Sequence, residues 1–489
     1  MRKSPEALAG LLALVLALLH QWLIPLSGTD LAAQLARADF ARHHPFTPVD
    51  FSWYGGVHPF GYSVLSPWLM AVLGVGECNV LAAVLGAVLL TRLLRDQLRP
   101  WLGAVLAAAF SVADIVSGRT TFALGAVALL GALLCRERRV WAVLLAVLSG
   151  LLSPVAAAFL GFCAAVLVLH RRPGGWTLGI AATVPVVVVG VLFPSGGVQP
   201  FSVDSGVPAI AVALALARVT RSPLVRTGSL LYAVAVVGFL SHADAFGSNI
   251  LRLGLLVAGA VVVATVRSTA LAALLLIGAL AWQTDPLHGD LTRHAVPDAT
   301  ALRAELVALG SRRAEVVAPR EHRESWQVAT AVPLARGWGR QVDYRDNRLF
   351  YRARLSAAAY LDWLHRRAVD HVAVPLRGPF DFGSQTEAKL LAKPVPGLTE
   401  VWRSKDWVVY AVDAPTPLAD GATVLSSTRT GLTLRADAAG DLHVRVRWSR
   451  WLTLDGPGCL TEDHGEVRLR VTAPGTLRLG SSLSPHGSC

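Results

Sequence analysis

Residues 61–75 read GYSVLSPWLMAVLGV, and whether this stretch crosses a membrane decides the fold. It is apolar but short, and Ser66-Pro67 interrupts its middle. A span needs about 20 mostly apolar residues, and a proline inside a helix removes a backbone donor. Further apolar segments lie near 7–26, 78–94, 101–117, 120–135, 139–153, 155–170, 176–193, 207–218, 226–241, 249–266 and 269–284. The turns between them carry basic clusters at Arg92/Arg95/Arg99, Arg136/Arg138/Arg139, Arg171/Arg172, Arg218/Arg221/Arg226 and Arg267, and Arg2 and Lys3 precede the first. If 61–75 lies in the interface, about eleven spans put every cluster on the cytoplasmic side, where basic residues are enriched. If it crosses, every later cluster faces outward. The non-crossing reading is therefore the expectation.

That reading predicts an α-helical polytopic membrane domain over residues 1–284, multi-pass in the plasma membrane, with a cytoplasmic N-terminus and a first external loop at 28–77. The odd number of spans also places the tail outside. Composition agrees: 53% of the 489 residues are hydrophobic and 16% are charged, against about a quarter charged in soluble proteins, and mean hydropathy is +0.50. The net charge of +12 does not argue for nucleic acid, because many arginines sit in short turns and set orientation. Lysine occurs only at Lys3, Lys389, Lys393 and Lys405, a bias that points to a GC-rich genome. The first segment, ALAGLLALVLALLHQWLIPL, has no clean small-x-small cleavage site and reads as an uncleaved span.

The tail reads as two parts. Over 285–420, ALRAELVALG and SAAAYLDWLHRRAV read as helices, and AEVVA, HVAVP, TEVWRS and WVVYAVD as strands, giving a small α/β domain. Over 421–489, TGLTLRA, LHVRVRW, EVRLRVT and TLRLG alternate apolar and polar between Gly, Asp and Pro turns, the pattern of a small β-sandwich. Cys459 and Cys489 would meet an oxidising compartment, so either a disulfide or two free thiols fits. Cys78, Cys135 and Cys163 sit in or beside spans and read as small apolar packing residues. No Cys/His spacing points to zinc, and no metal ligands are assigned.

The chemistry concentrates at the outward ends. Residues 28–60, GTDLAAQLARADFARHHPFTPVDFSWYGGVHPF, hold Asp30, Asp39, Asp50, His43, His44, His58, Trp53 and Tyr54. Asp30 is either a general base or the N-cap of the helix predicted over LAAQLARADF. His58 either positions a ligand or anchors the loop. Trp53 and Tyr54 stack on a sugar or belong to an interfacial aromatic belt. Asp39 and Asp50 read as solvated. Arg119 either closes a turn with Asp114 or binds phosphate. Asn249 and Arg252 open the tenth span, where Arg252 needs a partner, either a lipid phosphate or Asp244 or His242, and Gly247-Ser248-Asn249 offers backbone N–H groups at a helix start.

An uncleaved first span, an external loop opening on Asp30, the run His58-Pro59-Phe60-Gly61-Tyr62, then Gly74-Val75-Gly76-Glu77 and the span LAAVLGAVLLTRLLRDQL resemble the GT-C class of polytopic membrane glycosyltransferases. The resemblance covers about residues 1–100 and is architectural beyond. It implies an inverting transferase that takes a polyprenyl-phosphate sugar as donor substrate and a cell-envelope glycan or glycolipid as acceptor, on the extracytoplasmic face, with Asp30 as catalytic base. It implies substrate-binding roles for His58, Tyr54, Arg119, Asn249 and Arg252. Many members pair the base with a second acid, whereas Leu31 follows Asp30 here and the next acid is Asp39, so a divalent-metal requirement stays open. The tail stretches PLARGWGRQVDYRDNRLFY and EVWRSKDWVVYAVDAP look similar to actinobacterial membrane proteins, some of them read as transporters. A transporter or flippase of the cell envelope is accordingly the alternative function.

Overall fold

The computed structural model describes residues 4–24, 28–291 and 297–489. Two compact units divide the chain: Met1–Gln34 with Gly61–Arg293, and Leu35–Phe60 with His294–Cys489. Much of the first polar loop therefore counts with the tail. Arg2, Lys3 and the last two residues expected in the first span lie outside the described residues.

The first unit is helical. Its elements are α1 (Pro5–Leu23), the start of α2 (Leu31–His43), then, past the short α3 (Pro59–Tyr62), α4 (Ser66–Leu73), α5 (Val75–Leu94), α6 (Pro100–Val116), α7 (Thr120–Leu134), α8 (Arg139–Leu152), α9 (Pro154–Leu169), α10 (Gly175–Leu192), α11 (Val203–Val219), α12 (Pro223–Ser241), α13 (Leu251–Thr265) and α14 (Thr269–Leu291). Serines set several starts. Ser4, Ser153, Ser202 and Ser222 each accept a bond from a first-turn N–H, satisfying a donor the helix leaves orphaned. Among the described residues, α1, α5, α10, α12, the segment Gly247–Thr265 and α14 are long and apolar enough to cross a membrane. Helices α6, α7, α8 and α9 are apolar but shorter, at 14–17 residues. The chain is thus a membrane-type protein by its helices. Alanines and a few large side chains, including Phe122, Phe159 and Trp282, fill the helical core.

The deciding stretch holds the short helix α4 between the end of α3 and the start of α5. Its 8 residues rise about 12 Å, under half the ~30 Å hydrocarbon core. Proline does not break it in the middle, as expected from sequence; Pro67 lies in its first turn, where the missing N–H costs nothing. Ser63 and Ser66 donate to the Leu152 carbonyl at 2.8 Å each, holding the segment to the end of α8. Gly74, at φ 99°, then turns the chain into α5, and Gln21 at the end of α1 donates to the Gly76 carbonyl.

The turn after α5 meets both the start of α1 and the turn before α14. Arg92 and Arg95 lie 3.3 and 3.8 Å from Glu6. Arg99 donates to the carbonyls of Val266 and Arg267 at 2.7 and 3.0 Å.

The second unit is sheet-rich. It contains α15 (Thr300–Ala308), β1 (Ala314–Val316), α16 (Glu324–Gln327), α17 (Arg340–Asp346), α18 (Ala357–Arg366), β2 (His371–Pro375), α19 (Gln385–Leu391), β3 (Leu398–Arg403) and β4 (Trp407–Val412). Seven strands follow: β5 (Ala422–Thr428), β6 (Gly431–Ala436), β7 (Gly440–Arg447), β8 (Leu452–Asp455), β9 (Gly458–Asp463), β10 (Glu466–Val471) and β11 (Gly475–Ser481). One sheet runs β1-β2-β4-β3, with β1 parallel to β2. Two antiparallel sheets, β7-β10-β9 and β5-β6-β11-β8, close over a shared core. Alternation sets that core: Val467, Leu469 and Val471 of β10 point inward while Arg468 and Arg470 point out. Val49 and Phe51 join the same core. Cys459 and Cys489 are disulfide-bonded.

Candidate functional site

Two glycines bring distant chain segments together in the helical unit. Gly28 and Gly118 have φ of 104° and 76°. A Cβ on Gly28 would sit 2.5 Å from the Val116 carbonyl, and one on Gly118 would sit 2.4 Å from the Leu31 nitrogen. Only glycine permits that backbone approach. The Asp30 N–H then donates to the Ser117 carbonyl, which seats Asp30 on the turn between α6 and α7.

Four ionisable side chains meet there. Arg252 Nη2 donates to Asp30 Oδ2 at 3.1 Å. Arg119 Nε lies 4.0 Å from the same oxygen, and its Nη1 lies 3.7 Å from Asp114 Oδ1. Side-chain exposure is 16% for Arg252, 18% for Arg119, 25% for Asp30 and 6% for Asp114. The Arg252 guanidinium also lies over the Phe122 ring, 5.7 Å from its centroid. Two cations face two carboxylates, so the cluster is formally neutral. Burial strengthens each pairing and raises the cost of removing one member.

Asp30, Arg119 and Arg252, three of the residues singled out by sequence, therefore sit together. The partner expected for Arg252 needs correction. Asp244 accepts from the N–H groups of Phe246 and Gly247 at 2.7 and 2.8 Å, so its oxygen closes a local turn, and Asp30 takes the guanidinium. The cradle expected at Gly247-Ser248-Asn249 also needs correction. The Gly247 N–H is taken by Asp244, and Asn249 bonds the Phe246 carbonyl through both its backbone N–H and its side-chain amide. Asn249 shapes the turn before α13 instead of reaching outward.

Tyr54 and His58 belong to the second unit. Tyr54 is 5% exposed, and its hydroxyl donates to the Gly337 carbonyl at 2.6 Å. Trp53 is 4% exposed and its indole N–H donates to the Ser325 carbonyl. Both rings are committed to packing, which removes the expected sugar-stacking and aromatic-belt roles. His58 Nε2 lies 2.8 Å from Ser449 Oγ. Asp39 pairs with Arg429, and buried Asp50 accepts from the Ser52 N–H, so neither is the solvated residue expected. Burial raises the Asp50 carboxyl above the usual range.

Two features had no clear sequence signal. Gln283 of α14 is buried and bridges α13: its Oε1 accepts from the Gly259 N–H at 3.0 Å, and its Nε2 donates to the Leu255 carbonyl at 2.6 Å. Its amide thus reaches a donor and an acceptor four residues apart on the helix backbone. The second unit contains a buried charged network. Arg336 meets Glu315 and Glu387 at 2.9 and 3.2 Å. His322 lies between Glu324 and Asp381 at 3.1 and 3.3 Å and stacks on Trp338. Burial alone would lower the His322 imidazole, but Asp381 and Glu324 outweigh it and push the group up to about 9.

Among the described residues no cluster of three or more His, Cys, Asp or Glu is arranged to hold a metal ion. No family model matches the chain, and no curated protein matches it.

Proposed function

We propose that the protein is a membrane glycosyltransferase that moves a sugar from a polyprenyl-phosphate donor to a cell-envelope acceptor on the outer face of the plasma membrane. The observation that supports this reading is the Asp30–Arg252–Arg119–Asp114 cluster, assembled from residues 222 positions apart at its extremes. A guanidinium matches a phosphate oxygen pair as well as it matches a carboxylate. Because the cluster is neutral, an arriving phosphate competes with Asp30 for Arg252 and Arg119. Displacement frees the Asp30 carboxylate beside the bound donor. Asp30 then accepts the acceptor hydroxyl proton as the new C–O bond forms at the anomeric carbon, and the polyprenyl phosphate leaves with the arginines neutralising its charge. Transfer with inversion needs one such base and no covalent enzyme intermediate.

The test is transfer of labelled sugar from a polyprenyl-phosphate donor into an envelope fraction by reconstituted protein. Asp30→Asn lowers the rate by about 10²–10⁴-fold, the usual contribution of a positioned base. Full activity in that variant removes Asp30 from the role.

One observation favours transport instead. Gln283 sets a buried polar side chain against the backbone of α13, as polar groups inside apolar helices do along substrate pathways. Gradient-driven uptake into vesicles, abolished by Gln283→Leu, would support that reading.

A further inference from the structure

The second unit carries a basic surface that its own carboxylates do not answer. Two stretches build it: residues 348–354, which open with a 3-10 turn (Arg348–Tyr351), and α19 with the residues just after it. Thr386 of α19 donates to the Phe350 carbonyl at 2.6 Å. The Phe382 ring, just before α19, lies 5.8 Å from the Tyr351 ring. The two stretches therefore pack side by side. Arg348, Arg352 and Arg354 on the first and Lys389 and Lys393 on the second are exposed. Among the described residues these five side chains form no ion pair.

The acids beside them are committed elsewhere. Asp343 lies 3.7 Å from Arg336 and accepts from the Tyr351 hydroxyl. Asp346 pairs with Arg345 and Arg447, and Asp381 with Arg340. Glu387 lies 3.2 Å from Arg336 and is fully buried. Lys389 falls in the last turn of α19, four residues before Lys393, and like charges at that spacing repel. A single-sign patch of this kind is unfavourable by itself and attracts a polyanion.

The composition of the patch narrows what it fits. Protein interfaces have apolar cores depleted in lysine, and surfaces that dock on a bilayer present an apolar face. On these stretches Phe382, 61% exposed, is the one large apolar side chain in the open. The Cys459–Cys489 disulfide of the same unit favours an oxidising compartment, away from cytoplasmic nucleic acid. A sugar chain bearing carboxylate or phosphate groups meets what remains. Guanidinium groups pair with such oxygens two at a time, and lysines answer them as point charges.

We propose that this surface binds an anionic glycan, a flexible sugar chain carrying carboxylate or phosphate groups, through Arg348, Arg352, Arg354, Lys389 and Lys393. The role of that glycan as the acceptor of sugar transfer rests on the transferase reading, whereas the binding itself does not.

The experiment uses the purified full-length protein in nanodiscs of zwitterionic lipid, with no sugar donor present. The probes are fluorescent polygalacturonate, phosphorylated dextran and neutral dextran of matched length, read by anisotropy. At least one anionic probe binds tenfold or more tighter than neutral dextran, and its binding weakens about tenfold or more between 50 and 200 mM salt, as for a site that neutralises several charges. Which anionic probe binds tells carboxylate from phosphate. Replacing Arg348, Arg352 and Arg354 together by Gln weakens binding about tenfold, and their exposure spares the fold. Replacing exposed Arg435, Arg470 and Arg478 by Gln removes the same charge from the β-sandwich and leaves binding unchanged. Equal loss in both triple variants reports net charge alone and overturns the proposal. Equal binding of neutral and anionic chains overturns it as well. Tighter binding to phosphatidylglycerol vesicles, or to single-stranded DNA of matched charge, overturns the choice of a sugar chain. Because no transfer occurs in the assay, failure of the transferase reading leaves this result standing.

Discussion

At the residue scale, the behaviour of Arg252 is the sharpest consequence of the structure. It is held by Asp30 at 3.1 Å and by the face of Phe122. If it receives the donor phosphate, Arg252→Ala raises the donor KM about tenfold or more while changing kcat less, and Arg252→Lys restores part of the loss because the charge returns without the planar fork. Steady-state kinetics on a polyprenyl-phosphate donor series checks this, and an unchanged KM in Arg252→Ala refutes it. Asp30, Arg119 and Arg252 were legible in the sequence because an ionisable side chain at the end of an apolar helix demands a partner. Asp114 was legible as a partner of Arg119, but Asp30 was not legible as the partner of Arg252. Asp244 is five residues from Asn249 and looked available, yet a two-residue turn consumed it. Tyr54 looked like a binding residue only because nothing in a single chain announces the Gly337 carbonyl, 283 residues away, that holds its hydroxyl.

At the element scale, α4 shows a local signal that sufficed. Eight residues are too few for about 30 Å, and the sequence pointed the same way through Ser66-Pro67 and the sidedness of the basic clusters. The strands of the second unit were also legible, since Val467, Leu469 and Val471 alternate with arginines. The elements missed include the strands β5, β8 and β9 and the short helices α16, α17 and α19, whose Glu324, Asp343 and Glu387 turn out to be buried. Their charges cancel only in three dimensions. His322 provides a pH test of that arrangement. Its folded value of about 9 lies above the ordinary 6.5, so its contribution is fully present below about pH 6.5 and is lost as pH rises through about 9. The groups that oppose its deprotonation are Glu324 and Asp381, while Arg340 bonds the same Asp381. Protection of the amides of residues 320–345, with the intrinsic base-catalysed rate divided out, is expected to be constant below pH 6.5 and to fall between pH 6.5 and about 9. His322→Asn removes that slope; a slope that survives the substitution belongs to another group.

At the scale of the whole molecule, the orientation proposed for the chain makes a labelling prediction. In a background without the free cysteines Cys78, Cys135 and Cys163, exposed Ser484→Cys reacts with a membrane-impermeant maleimide on intact cells, and exposed Ser268→Cys, beside Arg267, reacts only after permeabilisation. The reverse pattern inverts the topology and removes the outward active site with it. What the sequence determined by itself was the helical, membrane-type character of the first part, the sheet-rich character of the tail and the short helical segment between longer helices. These follow from composition and periodicity, which act over a few turns or a few strand residues. What only the tertiary structure decided was the company each polar group keeps. It joined Leu35–Phe60 to the tail as one unit, gave Asp30 to Arg252, spent Tyr54 and Asn249 on backbone carbonyls, and set Asp114 beside Arg119. Hydrogen bonds and ion pairs act over a few ångströms in space and carry no mark of sequence distance. Which donor meets which acceptor is therefore set by the packing of the helices, not by the order of the residues.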